Sequence, residues 1–260
     1  MPINAARARA LGQNFLVNED VAKAEAVHAE GKNVIEIGPG YGILTKELCR
    51  HARHVVAVEK DKLLYSMLKR EMRQKNLTLI NDDFFDATDE ELDLGNMQIM
   101  VANIPYNLSS KVIGWLSSHR MEAVLCLQKE FVDHMLAPHG TDKYSKLSVM
   151  CHLFFSITKI MNVSRGNFSP APRVDSAIVY MRPREAKIGD VELRIASLLM
   201  EHKKKTLRNA LIDSHSYLDV EKHVLEGIAE KFREKNERIF KMSPESLLEV
   251  SGRIAALLGT

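Results

Sequence analysis

A short apolar run, Asn33-Val34-Ile35-Glu36-Ile37, passes without a spacer into Gly38-Pro39-Gly40-Tyr41-Gly42, and a helical pattern from Ile43 to Arg50 follows. Strand, glycine turn and helix in that order open a nucleotide-binding βαβ unit, which commits a chain to a sheet with parallel strands. The sequence then keeps the same beat. His54 to Val58 reads as a second strand with Glu59 at its end, and Asp61 to Gln74 has helical spacing. Leu77 to Ile80 is a third strand running into Asn81-Asp82-Asp83, and Gln98 to Ala102 a fourth. A helix over Ser109 to Ser118, with Ser109 as its cap, leads to a fifth strand over Ala123 to Leu127. Leu147 to Phe155 reads as helical, and Ile157 to Val163 and Ala177 to Met181 as the last strands. Short strands alternating with helices at this spacing predict a doubly wound α/β sheet.

The pattern changes after Pro183. From Val191 onward there are helical periods and no strand, and Ser243-Pro244-Glu245 is a strong helix start, with a serine cap, proline in the first turn and an early acid. The expectation is an α/β domain over residues 1–183 and a small all-helical domain over 184–260.

Composition narrows the function classes. The formal charge is +2 over 260 residues, so any nucleic-acid contact must come from local clusters. The densest cluster is His202 to Asn209, where Lys203, Lys204, Lys205 and Arg208 could track an RNA backbone; the alternative is a solvated helix face. Cys49, Cys126 and Cys151 are scattered and odd in number, which reads as buried thiols in a reducing compartment. Arg7 and Arg9 precede no apolar signal core, and no apolar stretch approaches the roughly 20 residues of a membrane span. A cytoplasmic chain with no membrane segment and no metal site is expected.

Two constellations carry chemistry. Gly38, Gly40 and Gly42 give G-x-G-x-G, and Glu36 stands just before this loop. A carboxylate there suits an amino group and is ill suited to a pyrophosphate. Glu59 is placed to accept from ribose hydroxyls and Asp83 from an adenine amine. Acids at successive strand ends, beside a close-approach glycine loop, fit S-adenosylmethionine, which has no phosphate.

The second constellation is Asn103-Ile104-Pro105-Tyr106, beyond the fourth strand. Asn103 offers an amide carbonyl and amide donors. Pro105 restricts Ile104 to an extended conformation, which can turn the Ile104 carbonyl outward as a second acceptor. Tyr106 adds a flat aromatic face. Two acceptors beside a ring suit a flat group with an exocyclic amine, such as adenine.

Several motifs coincide with one family. GQNFL (Gly12 to Leu16), EIGPGYGILT (Glu36 to Thr45), VVAVEKD (Val55 to Asp61), NIPYNLSS (Asn103 to Ser110), LQKEFVDHM (Leu127 to Met135), KYSKLSV (Lys143 to Val149) and FSPAPRVDSA (Phe168 to Ala177) occur in that order. The chain thereby resembles the KsgA-type ribosomal RNA adenine dimethyltransferases, relatives of the Erm resistance methyltransferases. It departs at Ser145-Lys146, where the family often has Gly-Arg. The resemblance implies a Rossmann-like class I methyltransferase domain and a helical domain, acting on the small ribosomal subunit or its precursor as a monomer. It implies dimethylation of adjacent adenosines near the 3′ end of small-subunit rRNA, and a role in ribosome assembly. Carried over residue by residue, cofactor contacts fall on Gln13, Asn14, Leu16, Gly38, Glu59, Asp83 and Asn103, with Lys60 and Phe84 lining the same place. Phe168 is the candidate for the face of the target base opposite Tyr106. Two other readings stay open: a DNA adenine-N6 methyltransferase, and an assembly factor that acts mainly by binding.

Overall fold

A computed structural model describes residues 13–185 and 188–259; Arg7, Arg9 and Gly12 lie outside them. Backbone contacts divide the chain into two compact units, one reaching Val132 and resuming over Ile157–Pro183, the other joining Asp133–Ser156 to the segment from Arg184 onward.

The first unit carries a seven-stranded sheet. Its strands are β2 (Asn33–Ile37), β3 (His54–Val58), β4 (Leu77–Ile80), β5 (Ile99–Asn103), β6 (Glu122–Gln128), β7 (Phe155–Val163) and β9 (Ser176–Pro183), in the order β4-β3-β2-β5-β6-β9-β7. The pairs from β4 through to β6 are parallel, and β9 runs antiparallel to β6. Ile99 to Ala102 of the central β5 are wholly buried, as expected of a strand covered on both faces. Helices α1 (Glu19–Ala26), α2 (Ile43–His51), α3 (Lys62–Glu71), α4 (Ser109–His119) and α5 (Lys129–Met135) connect these strands. Chain order reverses between β2 and β5, and in such sheets the crevice past the strands' carboxyl ends at that point receives ligands.

One pairing is new, and two expectations, on the cap of α4 and on the domain division, change. A two-stranded ribbon pairs β1 (Phe15–Leu16) with β8 (Phe168–Ser169), so the GQNFL and FSPAP motifs lie side by side. Ser109 is the first helical residue of α4 and not its cap; its hydroxyl donates to the Tyr106 carbonyl at 3.0 Å. The third difference is the domain division, because α6 (Lys146–Phe154), assigned to the first domain from sequence, belongs to the helical unit. Its Val149 and Leu153, with Tyr144 before it, share one apolar cluster with Ile195, Leu199, Leu207 and Phe232. Periodicity shows that a helix has an apolar face, not which core receives it.

The helical unit also contains α7 (Asp190–Glu201), α8 (Leu207–Asp213), α9 (His215–Leu218), α10 (Lys222–Ala229) and α11 (Pro244–Leu258). Tyr144 is fully buried and donates to the Met242 carbonyl at 3.2 Å. Ser243 caps α11 by accepting from the Ser246 N–H, with Pro244 in the first turn. Among the described residues, no helix is long and apolar enough to cross a membrane.

Candidate active site

A cavity of about 600 Å³ opens at the carboxyl ends of the strands of the first unit. Its wall brings together Gln13, Asn14, Gly38, Gly40, Glu59, Lys60, Asp83, Phe84, Asn103, Ile104, Pro105, Tyr106 and Phe168, drawn from five of the motifs and the stretch that follows β4.

The glycine loop is shaped by close approach. Gly40 has a φ of +58°, and a Cβ there would meet the Phe15 ring at 2.8 Å, so only glycine lets β1 close over the loop. Glu59 ties the loop to β3. Its Oε2 accepts from the Gly40 N–H at 3.1 Å and its Oε1 from the Asp61 N–H at 2.8 Å. Burial raises its pKa above the ordinary carboxyl range, and these N–H donors oppose the shift. Each carboxylate oxygen keeps a further lone pair for a hydroxyl in the cavity.

Asp83 sits past the end of β4. Lys60 donates to its Oδ2 at 2.8 Å and the Phe85 N–H to its Oδ1 at 3.0 Å, and Lys60 foremost holds its pKa down. Phe84 is buried edge-on against Trp115, with ring centroids 5.0 Å apart. Asn103 ends β5 opposite Cys126, its amide Nδ2 donating to Glu25 at 3.3 Å. Its Oδ1, and the Oε1 of Gln13, are buried with no hydrogen-bond partner among the described residues. Tyr106 exchanges a 2.9 Å hydroxyl bond with Ser176, which anchors the phenol to β9. Phe168 is 6% exposed and packs in the core of the unit while also meeting the cavity.

Two sequence-predicted contacts are not in the wall. Leu16 packs in the core. Glu36 is 1% exposed, and burial pushes its carboxyl up to about 8, with Glu59 adding to the rise. Sequence reasoning placed Glu36 just before the loop as a partner for an amino group; the strand is buried on both faces there, and Glu36 Oε2 is buried without a hydrogen-bond partner among the described residues. Glu25 and Ser176 were missed: one reads as an ordinary helix-surface acid, the other as a strand serine. Asp61, Asp82, Leu63 and Phe85 also line the cavity.

The wall suits S-adenosylmethionine. It is rich in acceptors, it holds two orphaned buried oxygens on lining residues, and Lys60 is already engaged by Asp83. Such a wall favours a ligand with hydroxyl and amine donors and a positive charge over one with a pyrophosphate.

The basic run of the helical unit is mostly occupied. Lys203 donates to the carbonyls of Asp142 and Tyr144 at 2.9 and 2.6 Å. Lys205 pairs with Asp213, and Arg208 with Glu226 and Glu230 at 3.7 and 3.3 Å. Lys204 is exposed.

Comparison with known proteins is consistent across the whole chain. The family model described as ribosomal RNA adenine dimethylase matches residues 4–253. A Methanopyrus kandleri protein named "Probable ribosomal RNA small subunit methyltransferase A" is 36% identical over 267 residues, covering 96% of this chain and 93% of the relative. The Thermococcus sibiricus protein of the same name is 35% identical, covering 92% of this chain and 89% of its own. Among solved structures, a dimethyladenosine transferase from Plasmodium falciparum superposes with a TM-score of 0.77 at 27% identity, covering 91% of this chain and 95% of that one. The 23S rRNA methyltransferase ErmE shares the fold, with a TM-score of 0.62 at 24% identity and coverage of 92% and 99%. The chain belongs to the ribosomal RNA adenine dimethylase family, S-adenosylmethionine-dependent enzymes that methylate adenine in rRNA.

Proposed function

We propose that this chain dimethylates the N6 amines of adjacent adenosines near the 3′ end of small-subunit rRNA, acting as a cytoplasmic monomer on the small subunit or its precursor. The observation that carries this reading is the open acceptor at Asn103, a residue of the same cavity wall as Tyr106 and Glu59.

Bound S-adenosylmethionine supplies an electrophilic methyl group. The rest falls to the protein. The N6 lone pair of adenine is delocalised into its ring and is a poor nucleophile. Asn103 Oδ1 and the Ile104 carbonyl accept from the amine and localise that pair on nitrogen, acting where positive charge develops. Tyr106 stacks on the base, its hydroxyl held by Ser176, and Phe168 closes the second face. Extruding the base costs a few kcal/mol, and stacking returns roughly 1–3 kcal/mol per base. The methylated nitrogen is cationic and acidic, so its proton passes to water without a buried base. Gln13, Glu59 and Asp83 bind and orient the cofactor, and Pro105 stiffens the acceptor loop.

Incubation with small ribosomal subunits and methyl-labelled cofactor, followed by nucleotide mapping, tests the proposal. Label on N6 of adjacent adenosines near the 3′ end is expected. Label on deproteinised DNA and none on subunits would overturn it.

A further inference from the structure

The buried acid on α1 has no place in the scheme above. Glu25 is 0% exposed and shares the inner face of its helix with Val21, Ala22 and Ala26. An apolar residue would fit that face at lower cost, since a buried carboxyl is penalised unless its oxygens find donors. Glu25 Oε1 finds none. Among the described residues the one hydrogen bond of its side chain is that from the Asn103 amide, 78 positions away in the chain. The carboxyl is held well above the ordinary range by burial, then by the nearby Glu36, and the Asn103 bond opposes the rise.

We propose that Glu25 is a positioning residue for methyl transfer: by accepting from Asn103 Nδ2 it fixes which way that amide faces, and so makes Oδ1 the atom offered to the substrate amine. The inference rests on the role given to Asn103 in the preceding section. An asparagine amide is nearly symmetric in shape, and its two orientations differ only in which end donates. Turned over, Asn103 would present NH2 groups to an amine that is itself a donor. With Nδ2 engaged by Glu25, the remaining oxygen is an acceptor that nothing among the described residues satisfies. The task needs an acceptor oxygen and not a charge, because an ionised and a neutral carboxyl both offer one to Nδ2.

The test compares Glu25→Gln with Glu25→Met, in the parent and in an Asn103→Ala background, by single-turnover methylation of small subunits at saturating cofactor. Glu25→Gln keeps an acceptor and should stay within about threefold of the parent. Glu25→Met keeps the volume and loses the acceptor; its rate should fall roughly tenfold, the size of one hydrogen bond. Cofactor affinity by calorimetry should not change, and the melting midpoint should hold or rise. In the Asn103→Ala background, Glu25→Met should have no further effect. Parent-like rates for Glu25→Met, an equal loss for Glu25→Gln, or losses that multiply with Asn103→Ala would each overturn the inference while leaving the role of Asn103 intact. If Asn103→Ala itself methylates normally, the underlying reading fails instead.

Discussion

Two sets of acids, one in each unit, are held in opposite ways. In the helical unit Glu201, Asp213 and Glu230 each take a lysine partner, and their pKa values are pulled below the ordinary range. In the sheet unit Glu25, Glu36 and Glu59 lie under or in the wall of the cavity, and burial pushes theirs up. At the cavity, Gln13 and Asn103 each hold an oxygen open among the described residues. Polar groups that have found partners within the chain have structural work to do. Groups held at a cost, with capacity left over, are where a ligand completes the structure.

Asn103→Ala strikes this contrast hardest. It removes the open acceptor, and the single-turnover rate on small subunits at saturating cofactor should drop on the order of 100- to 1000-fold, as when one preorganised transition-state partner is lost. Cofactor affinity should change much less. Equal losses in rate and affinity would mean that Asn103 serves the cofactor alone, and that its open oxygen marks that site and not the substrate's.

The Tyr106 pair is the next step down. Tyr106→Ala removes the stacking face and should slow methylation roughly 10- to 100-fold, in line with about 1–3 kcal/mol per stacked base. Tyr106→Phe keeps the ring and loses only the bond to Ser176, so a loss of a few-fold is expected. A phenylalanine as damaging as alanine would assign the work to the hydroxyl and its anchor.

Glu36 sharpens the contrast through pH. Its carboxyl titrates near 8 in the folded chain against an ordinary value of 4.5. Between those limits the folded state holds a proton that the unfolded state releases. The associated stability is therefore complete below the lower value and is lost as pH rises through the upper one. Glu36→Gln removes that dependence. Its melting midpoint relative to the parent should climb from pH 5 to pH 8, by about 2–4 °C for each kcal/mol regained. A difference that stays flat with pH would show Glu36 to be solvated or paired.

The sheet and most of the wall were legible because they depend on local pattern. Apolar runs of strand length mark β2 to β6, and polar residues just beyond them, such as Glu59 and Asn103, must fall at one edge of a parallel sheet. What was illegible depends on non-local pairing. Glu25 and Asn103 meet only after α1 packs against the sheet, and nothing near either residue encodes the meeting. Ser176 reaches Tyr106 across 70 positions for the same reason. The burial of Glu36 was hidden because proximity in sequence to the glycine loop says nothing about how the faces of β2 are covered. The allegiance of α6 was hidden because an apolar stripe has no address.

The basic run gives the finest test, since its lysines differ although the sequence makes them look alike. Lys203 bridges two backbone carbonyls that would otherwise lack its donor, whereas Lys204 is exposed. Lys203→Met should destabilise the protein by about 1 kcal/mol, the net worth of a hydrogen bond at a site partly open to water. It should leave the salt dependence of RNA binding unchanged. Lys204→Glu should do the reverse: an unchanged melting midpoint, weaker affinity for small-subunit rRNA, and a slope of log affinity against log salt shallower by about 1. Salt titrations of both variants separate a lysine that holds the fold from one that holds RNA. If neither slope moves, this basic turn between α7 and α8 does not follow the phosphate backbone, and RNA contact must be sought on the rim of the cavity, where Lys62 and Lys60 stand.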